Sequence, residues 1–137
     1  MIVYRSKLFT DINEDIVTRY LGVLGGFIFK AKSLHWAASG KDIHEYLDDF
    51  WEIIYNFQDT VAECWMGING QLGPDDVTFV AAESQNPKDF IKEVEDKTTD
   101  FYELLPQDDP RFKGLISEVE NFMHEIEKYK YLFGLCM

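Results

Sequence analysis

The chain has 137 residues and a net charge of −12, enough length for a single domain, residues 1–137, with a substantial core. Apolar residues make up 46% and aromatics 15%, which argues against disorder. The acidic balance argues against nucleic acid as a partner, because phosphate contacts dominate that affinity. It would favour attraction of cations. The stretch MIVYRSKLF is too short for a signal peptide or membrane span, and Tyr20 to Phe29 is broken by glycine and bounded by charge. Cys64 and Cys136 form neither a zinc pattern nor a disulfide framework and fit reduced thiols in a cytoplasm.

Four helices are predicted. The first spans Asn13 to Ala38, with Asp11 or Asn13 as cap and Glu14 and Asp15 suited to the positive end of the dipole. Ile16, Tyr20, Val23, Phe27, Ala31 and Leu34 give it an apolar stripe at helical spacing. Gly22, Gly25 and Gly26 cost helix propensity but would let another helix approach closely. Ser39-Gly40 ends it. The second spans Lys41 to Gly67, with Leu47, Trp51, Ile54, Val61 and Trp65 as a seam that Gln58 interrupts. Asn69-Gly70 and Gly73-Pro74 break the chain, and residues 71–86 form a long connection. Asn86-Pro87 opens the third helix, cap first and proline at the first position. Phe90, Ile91, Val94, Phe101 and Leu104 form its apolar face. Pro106 and Pro110 bracket a turn. The fourth runs from Arg111 to Phe133, with Leu115, Val119, Phe122, Ile126, Tyr129 and Phe133 inward.

The second helix carries the candidate chemistry. At about 100° per residue, His44, Asp48, Asp59 and Glu63 fall near 0°, 40°, 60° and 100°, on one flank. Asp48 and Asp59 nevertheless stand about 16 Å apart along the axis, and metal–ligand bonds are only about 2 Å long. A second copy running antiparallel, crossing near Ile53 and Ile54, would bring the His44/Asp48 end of one chain to the Asp59/Glu63 end of the other. The spacing predicts a metal site shared across a two-fold axis. Cys64, about 100° from Glu63 on the wheel, is not expected among the ligands.

The run from Leu34 to Glu63 resembles the DNA-protecting mini-ferritin (Dps) family of the ferritin-like superfamily. In that family an HW pair ending the first helix is followed by H-x3-D and, ten residues later, D-x3-E; here these are His35-Trp36, His44/Asp48 and Asp59/Glu63. The interval from His35 to His44 is shorter than the family's, the shortening falling between Ala37 and Lys41. The resemblance implies an all-α, ferritin-like four-helix bundle whose long connection joins parallel helices two and three. It implies iron at a di-iron or mono-iron site, other divalent metals also suiting such ligands. Asp59 and Glu63 would anchor the metal, Glu63 bridging, and His44, Asp48 and His35 of the neighbouring chain would complete the site. Trp36 would lie near it. Fe(II) would be oxidised by peroxide or dioxygen and ferric iron stored in a homo-oligomeric shell, a dodecamer in the family. The Lys-rich arm through which some members hold DNA is missing: Met1 to Thr10 carries only Arg5 and Lys7.

Other readings stay open. His35 reads either as a ligand or as a core or interface histidine. Glu118, Glu120, His124 and Glu125 are a rival constellation, but an intrasubunit di-iron bundle needs Glu-x2-His, and the chain has none; His124 is read as a surface or interface residue. The whole could also be a non-catalytic ferritin-like scaffold that binds a partner, its metal site structural or degenerate, or a different small-substrate oxidase using the same shared site.

Overall fold

The computed structural model describes the backbone of residues 9–136 and side chains from Ile16 onward. Arg5, Lys7 and the predicted cap side chains Asp11 and Asn13 lie outside the described residues. Among the described residues there are four helices, α1 (Phe9–Ala37), α2 (Lys41–Asn69), α3 (Pro87–Leu104) and α4 (Lys113–Leu135), with a 3-10 turn at Pro110–Phe112 before α4. No strand occurs among the described residues. No described helix is long and apolar enough to cross a membrane. The backbone of α1 is already helical at Phe9, so Asp11 and Asn13 stand inside the helix rather than at its cap.

Named contacts fix the helix directions. Tyr20 meets Phe57, and His35 meets His44, so α1 and α2 are antiparallel. Tyr20 stacks on Phe101 at 4.0 Å while Phe27 meets Phe90, so α3 is antiparallel to α1. Phe57 stacks on Phe122 at 4.1 Å, Phe50 reaches Tyr129 and Phe133, and Trp65 meets Phe112, which sets α4 antiparallel to α2. It follows that α2 and α3 run parallel, each packed between α1 and α4. The connection, residues 70–86, must therefore travel the length of the helices.

It travels along α1. Val80 donates its backbone N–H to the Gly22 carbonyl at 3.1 Å. A Cβ on Gly22 would stand 1.9 Å from the Thr78 carbonyl oxygen, and one on Gly26 would stand 1.8 Å from that of Val80. The glycines admit an extended strap, not the neighbouring helix that the sequence suggested. The strap's end is held by Glu93 of α3, whose carboxylate accepts from the backbone N–H groups of Glu83 (3.2 Å) and Ser84 (3.1 Å) and from the Ser84 hydroxyl.

All six inward residues predicted for α4 are buried, as are five of the six of α1, Val23 being half-buried. Asn86 caps α3 as expected, its side chain accepting from the Asp89 N–H at 2.9 Å. Three details differ. Phe50 and Phe57 are buried on α2 while Trp51 is half-buried, because α2 packs against α4 as well as α1. Leu105, past the end of α3, enters the core in place of exposed Leu104. Thr98 is fully buried, and its hydroxyl is satisfied by the Tyr20 hydroxyl at 2.7 Å.

Candidate metal centre

Only residues 38–40 separate α1 from α2, with Gly40 as an N-cap residue that supplies no side-chain bond. Two histidines tie the end of α1 to the start of α2. His35 in the last turn of α1 and His44 in the first turns of α2 stack at 3.9 Å between ring centres, 27° apart. His44 Nδ1 lies 2.7 Å from the His35 carbonyl oxygen, and His35 Nδ1 lies 2.8 Å from the His44 carbonyl oxygen. A carbonyl oxygen only accepts, so both rings donate from Nδ1. The His35 carbonyl belongs to the last turn of α1, where intrahelical donors run out. With the proton held at Nδ1, each neutral ring keeps its Nε2 lone pair as an acceptor.

His35 Nε2 faces Asp48 Oδ1 at 3.7 Å. The short connection thus leaves His35 beside Asp48. Asp48 Oδ1 also accepts from the Trp51 indole N–H at 2.7 Å. The Lys32 ammonium stands over the Trp51 ring, 4.2 Å from its centre. His35 and His44 are half-buried, Asp48 exposed.

Asp59 and Glu63 are exposed one turn apart in the second half of α2, and Asp59 is about 16 Å beyond Asp48 along the axis. Between them and the histidines, Gln58 turns inward and donates to the Leu21 carbonyl at 3.0 Å. Next to Glu63, burial raises the Cys64 thiol pKa, with the Glu118 and Glu63 carboxylates adding to the rise. Among the described residues of one chain, no group of three or more His, Cys, Asp or Glu side chains converges so as to hold a metal ion. The five candidates form two separate sets, His35/His44/Asp48 and Asp59/Glu63.

The rival constellation on α4 does not gather. Glu120 accepts from the Tyr102 hydroxyl at 2.6 Å, Glu125 lies 3.5 Å from Lys128, and His124 is exposed.

Both α1 and α2 also expose aromatic side chains. Phe29 and Trp36, 55% and 66% exposed, meet edge to face at 6.5 Å on α1. Tyr55, 56% exposed, meets Trp51 at 6.2 Å on α2. Gly25, one turn before Phe29, lies between Gln58 of α2 and the ring of exposed Phe79 on the strap. At the expected crossing point Ile54 is fully buried in its own chain's core, Ile53 is half-buried and Tyr55 is exposed. Sequence reasoning also left Trp51 in the core seam. Its three-residue offset from Asp48 is legible as a possible side-chain pair, but its half-burial is not.

No family model, curated protein or solved structure matches this chain. The functional reading rests on the residues and their geometry.

Proposed function

We propose that this chain is a Dps-like, ferritin-like subunit that oxidises Fe(II) with peroxide or dioxygen at a site shared between two copies and stores the ferric product. The observation that carries this reading is the facing of His35 Nε2 and Asp48 Oδ1 at 3.7 Å. The Nδ1–H of His35 is committed to a carbonyl, so in the neutral ring both facing atoms are acceptors. A cation shared by them, a proton or a metal ion, relieves that opposition. Histidines that ligate metals commonly donate their second ring N–H to a carbonyl, as both do here.

Imidazole nitrogen with carboxylate oxygen suits Fe(II), the substrate of this reading, and accepts other divalent metals. His35, His44 and Asp48 supply one half of the donor set. Asp59 and Glu63 of a partner running antiparallel supply the other, which accounts for two exposed carboxylates displayed one turn apart, away from the histidines of their own chain. The exposed aromatics Phe29 and Trp36 on α1 and Tyr55 on α2 are apolar surface of the kind that marks a protein interface. Parallel α2 and α3 joined by a long strap is the helix order of ferritin-like bundles, and the net charge of −12 favours cation uptake.

One test separates shell from scaffold. Twelve 16.0 kDa chains in a closed shell would migrate at about 190 kDa; a dimer would support a partner-binding scaffold, the second reading, which the aromatic surface by itself favours. The chemistry is tested by aerobic Fe(II) oxidation in the wild type and in Asp59→Ala/Glu63→Ala. Rapid oxidation should be lost while helicity remains, because both residues lie outside the core of their own chain. Unchanged oxidation overturns the site.

A further inference from the structure

An exposed aspartate is a poor fixed ligand unless something holds its carboxylate. Asp48 is such a residue, its side chain 55% exposed, yet its Oδ1 is tied to one donor, the Trp51 indole N–H at 2.7 Å. That donor is itself confined. The indole is half-buried, covered on its face by the Lys32 ammonium at 4.2 Å and met at 6.2 Å by Tyr55. An indole has a single N–H and no acceptor, so this contact has one possible polarity. A cation over the ring draws on its π electrons, and linked polar groups polarise one another, so Lys32 strengthens the indole as a donor.

We infer that Trp51 is a positioning residue for the metal site: its indole N–H, backed by Lys32, fixes the Asp48 carboxylate facing His35. This rests on the reading of Asp48 as a ligand given above. The chain of contacts, Lys32 to Trp51 to Asp48 to His35, crosses from α1 to α2 and back. It therefore locks the carboxylate to the same two helices that set the histidine pair. Loss of an outer partner of a ligand commonly costs ten- to a hundred-fold in metal affinity.

Trp51→Phe keeps a ring for Lys32 and Tyr55 to pack on and removes only the N–H. Anaerobic titration of the full-length assembly with Fe(II) alone should show affinity weakened roughly ten- to a hundred-fold in Trp51→Phe. In an Asp48→Ala background the same substitution should change nothing further, since the group being positioned is gone. A readout without metal accompanies this: in Asp48→Ala the indole loses its acceptor, so the hydrogen-bond-sensitive tryptophan band in the ultraviolet resonance Raman spectrum should shift. That variant changes an exposed side chain, so the measurement stands even if Trp51→Phe fails to assemble. An unmoved band, or Fe(II) bound as tightly by Trp51→Phe as by the wild type, overturns the positioning role and leaves the shared site intact. Fe(II) affinity indifferent to Asp48→Ala overturns both.

Discussion

The backbone N–H of Val80 lies 3.1 Å from the Gly22 carbonyl oxygen and donates to it. An extended strap is thereby hydrogen-bonded to a residue in the middle of a helix. That approach is possible only where the helix has no Cβ. Gly22→Ala and Gly26→Ala would place a methyl group within 2 Å of a backbone carbonyl oxygen, and backbone cannot swing aside as a flexible side chain can. Each should destabilise the fold by about 1–3 kcal/mol or more. Gly67→Ala, with nothing within 4 Å of the added carbon, should stabilise by about 0.5–1 kcal/mol. Urea unfolding of the three variants checks the contrast; equal effects would mean the strap does not lie where α1 lacks side chains.

The histidine pair should behave as one structural unit. Removing either ring deletes its own donated bond and its stacking, and for His35 also the approach to Asp48, so His35→Ala and His44→Ala should each cost about 1 kcal/mol or slightly more. The double variant should cost less than the sum, because the stacked contact can be lost only once. Additive costs in a double-mutant cycle would show that the two rings act independently.

Alkaline stability has a definite sign. Burial, with Asp49, Glu125 and Tyr46 adding repulsion, pushes the Tyr129 phenol from 10.0 up to about 12. Tyr20 is raised as well, burial outweighing its bond to Thr98. Above pH 10 the unfolded chain releases phenolic protons that the native state still holds, so stability must fall as pH rises. This contribution is fully present below pH 10 and is lost between pH 10 and about 12. Tyr129→Phe should show a shallower decline in that window, measured by urea unfolding on either side of pH 10. An identical slope would show that Tyr129 does not contribute.

The two thiols should react at different rates. Cys136 is exposed, whereas Cys64 is half-buried and its thiol is raised by burial, Glu118 and Glu63. The thiolate is the nucleophile, so a thiol reagent at neutral pH should label Cys136 first and Cys64 in a slower phase that Cys64→Ser abolishes. A single fast phase for both would contradict the environment of Cys64.

Much of the fold is readable in the chain because α3 and α4 follow simple rules. Asn86-Pro87 announces a helix start through capping and proline's missing N–H, and the stripe from Leu115 to Phe133 keeps helical spacing with all six of its residues buried. The second helix is harder. It packs on both α1 and α4, so its buried face is broad, and periodicity could not decide between Trp51 and Phe50. Leu105 lies beyond regular helix, where periodicity no longer applies. The glycines of α1 announce close approach without naming what approaches. At the candidate site, the pairing of His44 with Asp48 is a matter of one helical turn and is visible in spacing. The meeting of His35 with His44 depends on a turn that only tertiary structure fixes, and the bond from Trp51 depends on which way an indole rotates.

The parallel run of α2 and α3 has a practical consequence. A cut in the exposed turn at Gly73–Asp76 would leave two hairpins, one of α1 and α2 and the other of α3 and α4 carrying residues 77–86 as a free arm. Glu93 would still grip that arm near Ser84, and the notch at Gly22 and Gly26 would still receive it. The halves would recombine through the core faces that join α1 to α3 and α2 to α4, with the notch closing over the arm as a bolt on that union.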